Sequence, residues 1–166
     1  MAAMTRFDVL SDREPPNDRE TERLLLSALL IAPPVLPGDD GFKLTWVLEK
    51  INDGDFYDPF HVFMFRLIKS CRGPEGPDVR RMLAPENKEE AKRLGIDNLA
   101  FSIALLLSRR DGSSCCGRVG SIRVYGNHLR MVGYHREKID ITMREYIGAW
   151  EGWDEYERTK TAKTGI

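Results

Sequence analysis

The sequence predicts an all-α fold, a compact helical bundle followed by a helical hairpin with a long C-terminal helix. Three observations predict it. Apolar residues recur at steps of three and four through most of the chain, the period of a helix with one buried face. Capping residues and proline or glycine breakers stand between those runs, where helices start and stop. No alternation of apolar and polar residues runs far enough for a useful strand, and Val and Thr, which favour sheets, are sparse.

A chain of 166 residues has the size of one domain and is long enough to bury a core. With 42% hydrophobic and 31% charged residues, it lies inside the range in which burial offsets the entropy of ordering. Its 25 basic and 26 acidic side chains create no general field for a polyanion, so DNA binding is expected to be weak or indirect. The local exception is the stretch holding Arg118, Arg123, Arg130 and Arg136, which would suit a nucleic-acid-binding module. No run of 18 apolar residues occurs, and Met1 to Leu10 lacks the basic start and long apolar centre of a signal peptide. The expectation is a cytoplasmic chain without membrane contact. Three cysteines, two of them adjacent at Cys115 and Cys116, fit neither a disulfide framework nor the paired ligands of a zinc site and read as free thiols.

Residues 1–15 are polar and run into Pro15 and Pro16, which predicts a flexible leader. Asn17 is placed to cap the first helix, with Glu20 as the return partner of a capping box. That helix buries Leu24, Leu25, Ala28 and Leu29 and ends at about Ile31, before Pro33, Pro34, Pro37 and Gly38 break the pattern. Beyond the Asp39-Asp40-Gly41 turn, a second helix buries Phe42, Trp46 and either Val47 or Ile51, and stops near Asn52. Asp58 as cap and Pro59 in the first turn open a third helix with Phe60, Phe63, Met64, Leu67 and Ile68 at helical spacing.

Gly73 to Pro77 is the next breaker, after which Asp78 caps a short helix through Val79, Met82 and Leu83 that Pro85 is expected to stop. The charged stretch from Glu86 to Leu94 is helix-prone and ends at Gly95, a plausible left-handed terminator. Asp97 to Arg110 is a more apolar helix through Leu99, Ile103, Leu106 and Leu107.

Asp111 to Gly117 reads as a flexible reversal, and Ser121 opens the longest helical pattern. There Ile122, Tyr125, Leu129, Val132, Arg136, Ile139, Met143 and Tyr146 form a heptad seam with a polar interruption at Arg136. Such a seam needs a helical partner. The preceding helix can supply it, making a hairpin over about 97–147, and a second copy can cover the rest. The hairpin or dimer interface is therefore assigned to Ile122, Tyr125, Leu129, Val132, Ile139 and Met143. Gly120, Gly126 and Gly133 lower helix propensity here. The domain is placed at 16–150, and 151–166 is expected to be a flexible tail.

Two boxes carry a family resemblance. The run from Pro16 through Asn17, Glu22, Leu25 and Leu26 to Leu30 looks like the opening helix of the amino-terminal domain of DnaB-type replicative DNA helicases. Phe56-Tyr57-Asp58-Pro59-Phe60-His61-Val62-Phe63-Met64-Phe65 is similar to that family's Phe-Tyr-x-x-x-His-x-x-Ile-Phe box, and Tyr125 to Lys138 is a weaker echo of a third segment. The resemblance spans roughly Pro15 to Ile147 in the same order. It implies a domain that dimerises, steadies a hexameric ring and contacts primase or a helicase loader. No Gly-x-x-x-x-Gly-Lys-Ser/Thr phosphate loop occurs, so the chain is expected to lack the motor and to be no helicase by itself.

Catalytic, cofactor and metal roles are not expected. His61 reads as a core or boundary histidine, since no nucleophile or carboxylate stands at matching spacing. His128 and His135 share a helix face, but tight ligand pairs are missing. Asp53, Asp55 and Asp58 are opposed as a calcium loop by Pro59 and by the lack of a closing Glu. Trp150 and Trp153, among Glu151, Asp154, Glu155 and Glu157, form either a short partner-binding segment or a frayed end. The leading expectation is a non-catalytic protein-interaction module of DNA replication, a homodimer that meets helicase, primase or loader. A regulator that mimics the helicase domain and competes for its partners, and a nucleic-acid binder using Arg118 to Arg136, are the alternatives.

Overall fold

The computed structural model describes residues 13–32, 43–73, 76–107, 121–141 and 147–164. They are mostly helical, as the periodicity predicts. Helix α1 (Arg19–Ile31) is the hub, with Leu25, Leu26, Ala28 and Leu29 completely or almost completely buried. Its cap is Asp18 rather than Asn17: the Asp18 carboxylate accepts from the Thr21 amide at 3.0 Å. Asn17 instead donates to the Pro15 carbonyl, and Glu20 bonds Arg23. Asn and Asp cap about equally well, so a tertiary partner of Asp18, described below, decides between neighbours.

Helix α2 (Leu44–Lys50) buries Leu44, Val47 and Leu48, and Ile51 is buried just past its end. Phe42 and the Trp46 side chain lie outside the described residues. A 3₁₀ turn at Asp53–Asp55 follows, with Asn52 and Asp55 forming a capping box across it. Helix α3 (Pro59–Ser70) starts as expected, Asp58 accepting from the Phe60 amide at 2.9 Å. Its buried set is Phe63, Met64, Phe65, Leu67 and Ile68; Phe60 is only partly buried against the core.

Beyond α3, two-residue strands β1 (Arg72–Gly73) and β2 (Gly76–Pro77) pair antiparallel, Arg72 with Pro77 and Gly73 with Gly76. Asp78 caps the short helix α4 (Val79–Met82). Pro85 does not merely stop α4 but sits in the first turn of α5 (Pro85–Arg93), where its missing amide hydrogen has no partner to lose. Gly95 takes the left-handed conformation, φ +83°, that ends α5. Helix α6 (Leu99–Leu107) turns Leu99, Ile103 and Leu106 inward, while Leu107, expected on the buried face, is exposed.

The largest correction concerns the C-terminal half. Helix α7 (Ile122–Ile141) lies against α1, the 3₁₀ turn and α8 (Ile147–Thr164), while α6 packs on α1. The hairpin is thus α7 with α8, displaced from 97–147, and 151–166 is no flexible tail through Thr164. Contacts of His128 with Tyr156, and of His135 with Trp153, fall in reverse order along the two helices and make them antiparallel. A second core of Val132, Ile139, Trp150 and Trp153, with Tyr156 against it, sits between them. The two tryptophans are the large apolar side chains through which the last helix packs on α7. Residues 13–15 are likewise tied down: Arg13 pairs with Asp154 at 2.6 Å and lies 4.4 Å over the Trp150 ring. No described helix is long and apolar enough to cross a membrane.

Candidate functional site

Ile122, Tyr125, Leu129, Val132 and Ile139 do form one stripe of α7, each at most 8% exposed within the chain alone. The stripe is covered by α1, the 3₁₀ turn and α8, so while the fold stands it has no surface left for a second copy. Met143 and Tyr146 lie outside the described residues. Arg136, the polar interruption, donates to the Pro16 carbonyl at 2.8 Å and to the Gly54 carbonyl, and its guanidinium lies over the Tyr57 ring. It clamps the entry segment and the 3₁₀ turn to α7.

Two buried polar assemblies fasten this arrangement. In the first, Glu22 of α1 has no exposed surface and accepts from the Tyr57 and Asp58 amides, and its Oε2 lies 2.6 Å from His61 Nδ1. The two sequence boxes singled out above therefore meet through these side chains. His61 is a buried histidine whose partner is 39 positions away in the chain, a carboxylate that spacing along one helix could not reveal.

In the second, the Asp18 carboxylate accepts three hydrogen bonds and has one further cation beside it. Thr21 supplies its amide and hydroxyl, Lys160 Nζ stands at 3.8 Å, and His128 donates through Nε2 at 2.7 Å. The other imidazole nitrogen, Nδ1, meets the Tyr156 hydroxyl at 2.6 Å. Burial alone would raise the Asp18 pKa, but the His128 and Thr21 hydrogen bonds prevail and hold it down at about 2. Burial pushes the Tyr156 phenol up to about 12, with the Asp18 charge adding to the effect. The group joins the cap of α1 to α7 and α8. An acid, an imidazole and a phenol in line resemble a proton relay, but the imidazole is enclosed, with 1% of its residue surface exposed, and the cleft described next is lined by other residues. The geometry is that of a structural lock.

The outer side of α7 carries an open groove of about 840 Å³ against the 3₁₀ turn, reached by Asn52, Asp55, Asn127, Arg130, Met131 and Tyr134. Gly133 brings the two walls together. A Cβ there would meet Asp55 Cα and Oδ1 at 3.0 Å and the Gly54 carbonyl at 3.2 Å. Burial raises the Asp55 pKa, opposed by its hydrogen bond from the Asn52 amide and by the charges of Arg130 and Arg136. The groove offers one exposed aromatic, Tyr134, and mixed charge.

Compared with family models, curated proteins and solved structures, the chain matches none.

Other residues weighed in the sequence find structural partners. Asp53 bonds Arg66 Nε at 2.7 Å, Asp55 accepts from the Asn52 amide, and Asp58 caps α3. His135 packs among Tyr134, Trp153 and Tyr156. Among the described residues no group of three or more His, Cys, Asp or Glu side chains is placed to hold a metal ion. Arg118, Cys115 and Cys116 lie outside the described residues. Of the remaining arginines proposed for nucleic acid, Arg123 and Arg130 are exposed, whereas Arg136 is engaged by backbone carbonyls.

A surface absent from the assigned set is the outer face of α6. The helix has no charged residue, and Phe101 and Leu105, one turn apart, are 59% and 41% exposed. The signal in the sequence was the continuity of the run Leu99 to Leu107, apolar on more sides than one core can cover.

Proposed function

We propose that this chain is a non-catalytic protein-interaction module of DNA replication, of the kind its likeness to the helicase amino-terminal domain implies, and that it pairs with a second copy through α6. The observation that carries the reading is the exposed Phe101 and Leu105 face on an uncharged helix. Contiguous apolar side chains in water mark partner surfaces, and α6 offers them where the α7 seam does not. Replication enters only through the Pro16 to Leu30 and Phe56 to Phe65 boxes, whose residues Glu22 and His61 are joined in the fold.

Light scattering on the full chain tests the pairing. The wild type is expected to run as a dimer at micromolar concentration, and Phe101→Asp with Leu105→Asp as a monomer with unchanged helix content. A wild-type monomer at that concentration overturns the dimer. Direct binding assays with purified replicative helicase and with primase test the replication role, and binding to neither overturns it.

A further inference from the structure

Beside the large groove, α7 and the end of α2 enclose a second, smaller pocket of about 170 Å³. Its floor is apolar and buried, made by Val47, Ile51 and Gly126. Its rim is made by the exposed side chains of Lys50, Arg123 and Arg130, with Asn127 between the two arginines. Three cations and no acid line it. Arg123, Asn127 and Arg130 stand at i, i+4 and i+7 on α7, so they share one face. Gly126 makes the pocket possible: a Cβ there would lie 3.1 Å from Ile51 Cδ1, closing the space in which α2 and α7 meet.

We propose that this pocket is a docking site for an acidic peptide segment of a partner protein, which seats one aliphatic side chain on Val47 and Ile51 and sets neighbouring carboxylates against Lys50, Arg123 and Arg130. Asn127 and Arg130 line both cavities, so the track continues into the large groove towards Met131 and Tyr134, which are 41% and 52% exposed. The eleven helical steps from Arg123 to Tyr134 rise about 16 Å, the length of about five residues of extended chain. Charge gives the track a direction. Its far end carries Asp55 and Glu137 together with Arg136, whose guanidinium donates to the Pro16 and Gly54 carbonyls, so the net positive charge lies at the Lys50 end, where the peptide's acidic residues belong, and its neutral residues belong beside Tyr134.

That polarity separates a peptide from a nucleic acid. A phosphodiester strand along the same path would bring its evenly spaced charges against Asp55 and Glu137, where repulsion offsets what the arginines contribute. A buried aliphatic floor also has no counterpart on a sugar-phosphate backbone. No residue of α6 lines the site, and it stands independently of the self-pairing proposed above.

The test pans a displayed random dodecapeptide library on the full chain and measures the enriched peptides, fluorescently labelled, by polarisation. The expected winners place two or more acidic residues next to Leu, Ile or Val. Their affinity should fall by about tenfold or more in Lys50→Glu with Arg130→Glu, roughly the loss of one or two charge-assisted contacts. These positions are exposed, and unchanged circular dichroism shows that the variant folds. Phe101→Asp with Leu105→Asp should leave peptide binding intact, which separates this site from the α6 surface. Three results overturn the proposal: no enrichment or enrichment of neutral or basic peptides, affinity unaffected by the charge reversal, or an oligo(dT) probe that binds more tightly than the peptides and is lost in the same variant.

Discussion

His128, in the middle of α7, donates through Nε2 to the carboxylate of Asp18, the residue that caps α1, at 2.7 Å across 110 positions of chain. The bond closes one end of the hub helix against the hairpin, and the fit of three helices depends on it. His128 is buried and its carboxylate partner largely so. Removing one partner leaves the other without compensation. His128→Ala should therefore destabilise the chain by about 3 kcal/mol, read as a lower urea midpoint at constant slope; a change below about 0.5 kcal/mol would contradict the lock.

The same pair predicts acid sensitivity. Against the opposing effect of burial, hydrogen bonds from His128 and Thr21 bring the Asp18 pKa from 3.8 to about 2. The folded value lies below the unfolded one, so the stabilisation is complete above about pH 4 and is lost as pH falls through about 2. The shift corresponds to about 2 kcal/mol. Urea titrations at several pH values should show this loss in the wild type and a flatter acid limb in Asp18→Asn.

His135 adds a second, milder dependence. Burial, and then the charge of Lys138, lower its pKa from 6.5. The unfolded chain takes up that proton first, so stability declines as pH drops below about 6.5. Melting temperatures between pH 7.5 and 5.5 should fall less in His135→Gln than in the wild type, and parallel curves would remove this histidine from the account.

Glycines on the two hairpin helices should respond in opposite ways. Gly133→Ala places a methyl group 3.0 Å from the backbone of the 3₁₀ turn, and the overpacking should cost about 1 to 3 kcal/mol despite better helix propensity. At Gly152 the nearest atom is His135 Cε1, at an ordinary 3.6 Å. Gly152→Ala should stabilise by about 0.5 to 1 kcal/mol. Thermal melts of the two variants check both signs.

The Glu22 and His61 pair should couple strongly. Glu22→Ala strands the Tyr57 amide and the His61 ring in the core and should cost about 3 kcal/mol, while Glu22→Gln keeps an acceptor and should cost about 1 kcal/mol. A double-mutant cycle with His61→Ala measures the interaction directly. Additive losses would mean that the two side chains do not support one another.

Local signals in the sequence locate most helices well. Asp58 with Pro59, Asp78, and Gly95 mark ends that stand where capping chemistry and backbone freedom require. The α7 seam is equally legible, since Ile122, Leu129 and Val132 recur on one face and are all buried. What covers that face was not legible. A heptad pattern states that a partner is needed and does not name it; here α1 and α8 won over α6.

The last helix shows why. Trp150 and Trp153 sit among acidic residues, a composition that reads as a solvated end until a complementary surface on α7 exists to bury them. The glycines of α7 were similarly ambiguous. Gly126 and Gly133 weaken the helix locally, and only the approach of Ile51 and of the 3₁₀ turn gives them a purpose. The arginine-rich stretch divided in the same way: Arg130 faces the groove, while Arg136 was drawn into backbone contacts.

The amino-acid order by itself determined that this protein is helical, where most of its helices begin and end, and which side of each seeks cover, because periodicity and capping act within a few residues. Only the tertiary structure decided which faces meet, that Asp18 rather than Asn17 starts α1, and that a cation-rimmed pocket opens beside α2. Those outcomes depend on pairs such as Asp18 with His128 and Glu22 with His61, whose partners are far apart in the chain and whose bonds exist only after the helices have packed.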